Sequence, residues 1–290
     1  MSDTIFRTTA GPHWLTLLNP VRMAANLLSH RGLIYQFARR DVTGKYRGSY
    51  LGVLWAVLSP LLLLAVYTVI FSVIFELKFG TGAASGPGTF AINMFIAMLV
   101  FNVFAEVANR SPFLVLQNPN LVKKVVFPLE SLVPAALLSS LVTMGVGLGV
   151  WLVGRCVLIG PPSWSTLLMP VVILPVCLTT LGLGWFLAAL GVFVRDIGHT
   201  IAVIVQVLFL LTPIFYSVEM LEERNAPRVC VTLVRLNPLT QAAEQAREVA
   251  LDSRLPQWDW WAAMLVVGVI VAVLGYAFFM KSRRAFADVI

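Results

Sequence analysis

Four cations stand within nine residues, Arg39, Arg40, Lys45 and Arg47, with a single acid, Asp41, among them. Directly after them, residues 51–75 carry no charge apart from polar uncharged groups such as Ser59 and Thr68. Guanidinium and ammonium groups in a row suit phosphate oxygens. An uncharged apolar run of roughly 20 residues or more is long enough to cross a bilayer core. Together they read as a membrane segment whose basic end stays in the cytoplasm, at the level of lipid phosphates. Other chemistry is missing from the sequence. It holds no G-x-x-x-x-G-K-[ST] phosphate loop, no G-x-G-x-x-G and no H-E-x-x-H. Cys156, Cys177 and Cys230 are odd in number and have no C-x-x-C spacing. Neither a metal site nor a disulfide framework is expected of them. No apolar run carries the paired carboxylates at its middle that an ion-coupled carrier would use. No catalytic residue is therefore expected, and any cargo must be moved by energy from elsewhere.

The elements around these cations are those of a polytopic membrane protein. Residues are 59% hydrophobic and only 12% charged, with a mean hydropathy of +0.86. Soluble domains carry about 25% charged residues. The net charge of +7 fits a surface facing anionic lipid, so no nucleic-acid partner is expected. Residues 1–30 hold no sustained apolar run and read as a cytoplasmic tail; insertion is expected to be directed by the first span. In residues 31–50, Leu33, Ile34, Phe37, Ala38 and Val42 recur at helical spacing, with Arg39, Arg40 and Lys45 on other faces. That pattern predicts an amphipathic helix in the headgroup layer. Six spans follow, at about 51–75, 90–109, 129–154, 165–194, 197–218 and 260–280, with a tail at 281–290. Both termini are then cytoplasmic. Fourteen of the 21 Lys and Arg fall on the inner segments, as the positive-inside rule requires.

Two intervals between spans have their own pattern. At 118–127, Asn118 is a good N-cap and Pro119 fits the first helical position. Leu121, Val122, Val125 and Val126 then share one side. A short helix with an apolar face outside the bilayer must fold back on its own chain or dock into a groove on a partner. Residues 219–259 form the longest polar interval and read as an outer region of short helices dipping into the membrane. Within it Asn237 and Pro238 start a helix carrying Glu244 and Arg247, and Trp258, Trp260 and Trp261 place an aromatic belt beyond it. In the third span, Gly145 and Gly149 are four apart, a spacing that lets helices approach closely.

The run from Lys45 to Phe75, KYRGSYLGVLWAVLSPLLLLAVYTVIFSVIF, closely resembles the first span of ABC-2 permeases that export O-antigen, capsule or teichoic-acid polysaccharides. The likeness extends, in the same order, to 118–128, Arg195-Asp196, 212–216 and Asn237-Pro238-Leu239. It implies an all-α fold of about six spans with an interfacial helix and outer re-entrant gate helices. It also implies a homodimer of this chain with two separate ATPase subunits, which would hold ATP and Mg, leaving this chain without a cofactor. The 118–127 segment would be the helix that couples to the ATPase, with Arg195 and Asp196 a second contact. Asn237, Pro238, Glu244 and Arg247 would belong to the outer gate. The cargo would be a lipid-linked polysaccharide at the inner membrane, its phosphate linker met by Arg39, Arg40, Lys45 and Arg47. Flat aromatic faces suit sugar rings sliding without fixed register; Trp55, Tyr67, Phe71, Phe209, Phe215 and Tyr216 are the candidates. The alternatives are an ABC-2 permease for a drug or other lipid, and a membrane-embedded glycolipid-processing enzyme.

Overall fold

A computed structural model describes residues 17–46, 50–76, 86–122, 127–224 and 226–289. The expected phosphate ligand Arg47 and the expected coupling residues Val125 and Val126 lie outside them. Helices make up the regular structure, with no strand among the described residues. Among the described residues, two helices precede the first apolar run: α1 (Pro20–Ser29) and α2 (Arg31–Tyr46). Then come α3 (Trp55–Tyr67), α4 (Pro87–Leu114), the four-residue α5 (Pro119–Val122) and α6 (Leu132–Leu158). The chain continues through α7 (Met169–Val172), α8 (Leu174–Phe193) and α9 (Ile197–Leu211). Three short helices, α10 (Val218–Glu223), α11 (Arg228–Leu236) and α12 (Pro238–Ala250), lead to the long α13 (Trp258–Val289).

Among the described residues, four helical stretches are long and apolar enough to cross a membrane: Pro87–Leu114, Leu129–Leu158, Trp164–Phe193 and Trp258–Phe286. Two shorter apolar helices, Trp55–Phe71 and Ile197–Leu211, join them. Helix α4 is apolar round most of its circumference and mostly buried between Phe90 and Leu114, as a helix with little polar face must be. It is the central post, with α6, α8, α9 and α12 packed against it. Helices α8 and α13 run together at backbone distance. A Cβ on Gly275 would lie 2.0 Å from the Gly182 carbonyl oxygen, so only glycine fits there.

Prolines and hydroxyls shape the first and fifth apolar runs. Helix α3 contains Pro60 and widens after Tyr67 into a π-wound stretch, Thr68–Ile74, where Phe75 N–H reaches the Ile70 carbonyl five residues back. Such bulges occur where a helix must redirect its side chains. Helix α9 has 15 residues, about 22 Å at 1.5 Å per residue, and stops at Leu211 because Thr212-Pro213 cannot continue it. Residues 212–217 then run irregularly, where the sequence reading continues the span to residue 218.

Two expectations from local pattern take a different form in three dimensions. A Cβ on Gly145 or Gly149 would meet nothing within 4 Å, whereas one on Gly147 would lie 2.3 Å from Leu99. The close approach within this chain therefore uses the middle glycine of the three. The apolar side of α2 (Leu33, Ile34, Phe37, Ala38, Val42) is buried or half-buried, and the helix packs on α6. Arg39 and Arg40 remain exposed.

Candidate functional site

Four of the six expected aromatics meet. Phe71, from the π-wound stretch, stacks on Phe215 with centroids 4.2 Å apart and planes 20° apart. Tyr67 meets Phe215 edge-on at 5.3 Å and Phe209 at 6.3 Å, and Phe209 meets Phe215 at 5.4 Å. The bulge after Tyr67 and the stop at Leu211 make this possible, because they turn α3 and the segment after α9 towards each other. Phe101 of α4 completes the group, 5.3 Å from Phe209. These rings line a cavity of about 530 Å³ whose remaining walls include Asn102, Asn109 and Gln206. The Asn109 side-chain oxygen is shielded from solvent and accepts no hydrogen bond among the described residues. Aromatic faces beside primary amides match the two surfaces of a sugar ring, its C–H face and its hydroxyl edge.

The other two aromatics lie apart from the group. Trp55 is over a third exposed and lines a different cavity, beside Lys45. Tyr216 donates its hydroxyl to the Leu210 and Leu211 carbonyls, closing the end of α9. Phe101, Asn102 and Asn109 are not among the sequence candidates. They sit in an apolar helix with no local pattern to single them out, and only the packing of α3 and α9 on α4 shows their role.

Above the aromatic group, α12 is fastened to the same irregular segment. Asn237 caps α12 by accepting from Leu239 N–H, and its amide donates to the Thr212 hydroxyl at 3.0 Å. Arg247 is buried at 4% exposure. It donates to the carbonyls of Asn93 (3.2 Å), Ile214 (2.8 Å) and Tyr216 (3.3 Å) and to Glu244 (3.1 Å). One guanidinium thus ties α12, α4 and the 212–217 segment together. Burial pushes the Glu244 carboxyl above its ordinary value, and Arg247 offsets this only in part. Pro238 takes the first turn of α12, where its missing N–H costs nothing.

At the opposite, basic end, the expected cations are mostly engaged. Lys45 pairs with Glu106 and also donates to the Thr143 hydroxyl at 3.1 Å. Asp41 pairs with Arg110 at 2.7 Å, and Arg110 lies 3.5 Å from Glu106. Arg40 covers the Phe37 ring at 4.5 Å. Arg39 is exposed. Asn118 donates to the Leu114 carbonyl at 2.9 Å, and its own carbonyl accepts from Leu121 N–H at the start of α5. Leu121 and Val122 are half-buried against the core, and Arg195 and Asp196 are exposed in the turn between α8 and α9. Just beyond the α5 segment, the buried Glu130 accepts from Arg283 (3.0 Å) and Asn26 (3.1 Å). This brings α13 and α1 onto the start of α6.

Among the described residues, no group of three His, Cys, Asp or Glu could hold a metal ion. The described residues thus combine an aromatic cavity, a helix α12 fastened beside it by Arg247 and a short helix α5 near the basic end. The sequence profile of the ABC-2 type transporter family matches residues 32–251, three-quarters of the chain. The chain belongs to the ABC-2 type transporter family. Among curated proteins it is similar to the O-antigen export system permease protein RfbA of Myxococcus xanthus, at 27% identity over 268 residues. That alignment covers 92% of this chain and 99% of the relative. The protein of the same name from Klebsiella pneumoniae is 26% identical over 192 residues, 64% of this chain and 70% of the relative. This ABC-2 chain is a multi-pass membrane protein and a transport subunit, and the resemblance seen in its first span extends through α12.

Proposed function

We propose that this chain is the transmembrane subunit of an ATP-driven exporter that carries a lipid-linked polysaccharide from the cytoplasmic side across the inner membrane. The aromatic cavity carries the reading: Tyr67, Phe71, Phe101, Phe209 and Phe215 beside Asn102, Asn109 and Gln206. Stacked rings hold sugars weakly and without fixed register, so a chain of sugars can advance past them. Two copies of the chain pair, and two copies of an ATPase bind at α5 and at Arg195-Asp196, holding ATP and Mg. Both termini lie in the cytoplasm. The irregular segment 212–217 and α12 close the outer side, with Arg247 as the latch. O-antigen export, the activity that the relatives' names give, belongs to the same cargo class.

Deleting the chain from its own cell and restoring variants tests this. Deletion is expected to remove surface polysaccharide and leave lipid-linked glycan inside. Phe209→Ala is expected to lower export about fivefold, the scale of one lost aromatic contact, with normal amounts of protein in the membrane. Unchanged surface polysaccharide after deletion would overturn the reading.

A further inference from the structure

A second cavity, of about 410 Å³, opens between α3, α4 and α6. One end is polar, formed by Lys45, Glu106, Ser140 and Thr143. The rest is mostly apolar, walled by Trp55, Leu63, Leu99 and Met144, with Ser59 and Asn102 as its polar exceptions. Along α4 the wall runs from Glu106 back to Met98, about 12 Å at 1.5 Å per residue. A dry cavity of about 150 Å³ accepts a six-carbon ring, so this one has room for part of a lipid chain, with a head group at the Lys45 end.

We propose that the cavity holds an acyl chain of an anionic phospholipid from the inner leaflet, its phosphate taken by Lys45 and the Thr143 hydroxyl. Lys45 already donates to both Thr143 and Glu106. The phosphate replaces the Glu106 carboxylate on the ammonium, and Glu106 keeps Arg110, whose guanidinium is 3.5 Å away and held on its other side by Asp41. The short wall suits a phospholipid acyl chain better than the much longer carrier chain of a glycan. Leu63, Met98 and Asn102 line both this cavity and the aromatic one, so the lipid packs against the wall of the cargo path. The orientation rests on the proposed function; the site itself does not depend on what the cargo is.

The full chain, purified in detergent with its ATPase and stripped of lipid, is titrated with phosphatidylglycerol or phosphatidylcholine and read by native mass spectrometry. One phosphatidylglycerol per chain is expected, with phosphatidylcholine held more weakly. Lys45→Gln is expected to weaken phosphatidylglycerol about tenfold, the scale of one charge-assisted contact. Glu106→Gln is expected to tighten it severalfold, because the competing carboxylate is gone. A pair that serves only as a strut would give no tightening in Glu106→Gln, and that outcome overturns the proposal even if Lys45→Gln fails to fold. Displacement of phosphatidylglycerol by an equal amount of polyprenyl phosphate would also overturn it, giving the cavity to the cargo. Export of polysaccharide by the same cells reports separately on the proposed function.

Discussion

Arg247 is the residue whose role depends least on its neighbours in sequence and most on the fold. Its acceptors come from Asn93, 154 positions away, and from Ile214 and Tyr216. Removing one partner of a buried, hydrogen-bonded charge pair costs about 4 kcal/mol. Arg247→Ala is therefore expected to lower the unfolding midpoint sharply and to leave a leaky outer side. Glu244→Gln is expected to behave differently. Burial holds the Glu244 carboxyl above its ordinary value, and the same is true of Glu248. For a raised carboxyl the sign is fixed: the folded state favours the protonated form, so stability falls as pH rises from the ordinary carboxylate value through the raised one. Glu244→Gln removes that loss at its own site. Thermal unfolding between about pH 4 and pH 7 should show a shallower slope in the variant, and an unchanged slope would refute the assignment. The sequence offered Glu244 and Arg247 as neighbours on one helix; it held no sign of the three carbonyls that make Arg247 a latch.

At the scale of elements, what could be read in advance was whatever has a local period. The apolar side of α2 could be listed residue by residue from spacing alone, because a helix must bury one stripe. What covers that stripe could not, since the protein wall of α6 and the lipid headgroup layer select the same apolar residues. Gly145 and Gly149 show the same limit: spacing marks a place where helices could approach, while the partner's shape decides that Gly147 is used. The expected aromatics separated into four that meet and two that do not, because the meeting needs the π-wound turn after Tyr67 and the stop at Leu211. Neither device has a signature beyond Thr212-Pro213. A test at this scale concerns α5. Its Leu121 and Val122 are only half-buried against this chain, and the proposed ATPase groove would take the remainder. Replacing both with Asp is expected to abolish ATPase stimulation by cargo while the membrane part keeps its unfolding midpoint. Full stimulation and unaltered co-purification in that variant would remove the coupling role from α5.

At the scale of the molecule, the architecture follows from what the sequence lacks as much as from what it holds. The sequence holds no phosphate loop, and the ion pairs of Glu106 with Lys45 and Arg110 stand near one end of α4. The chain has a central buried helix, an aromatic cavity on one side and, beside that cavity, α12 tied down by Arg247. The α8–α13 pair, with Gly182 against Gly275, packs at backbone distance. Overpacking a core typically costs about 1–3 kcal/mol, occasionally more, and a side chain at Gly275 would meet backbone rather than a yielding side chain. Gly275→Leu is expected to prevent stable accumulation in the membrane, measured as protein recovered in detergent. Movement in the working protein is then expected in α3, α9 and the 212–217 segment, driven from the basic end. The most direct measurement is transport by the purified chain in vesicles, with and without its ATPase, using a lipid-linked glycan. ATP-dependent transfer only when both are present is the expected result; uphill transfer by the chain alone would contradict the central claim.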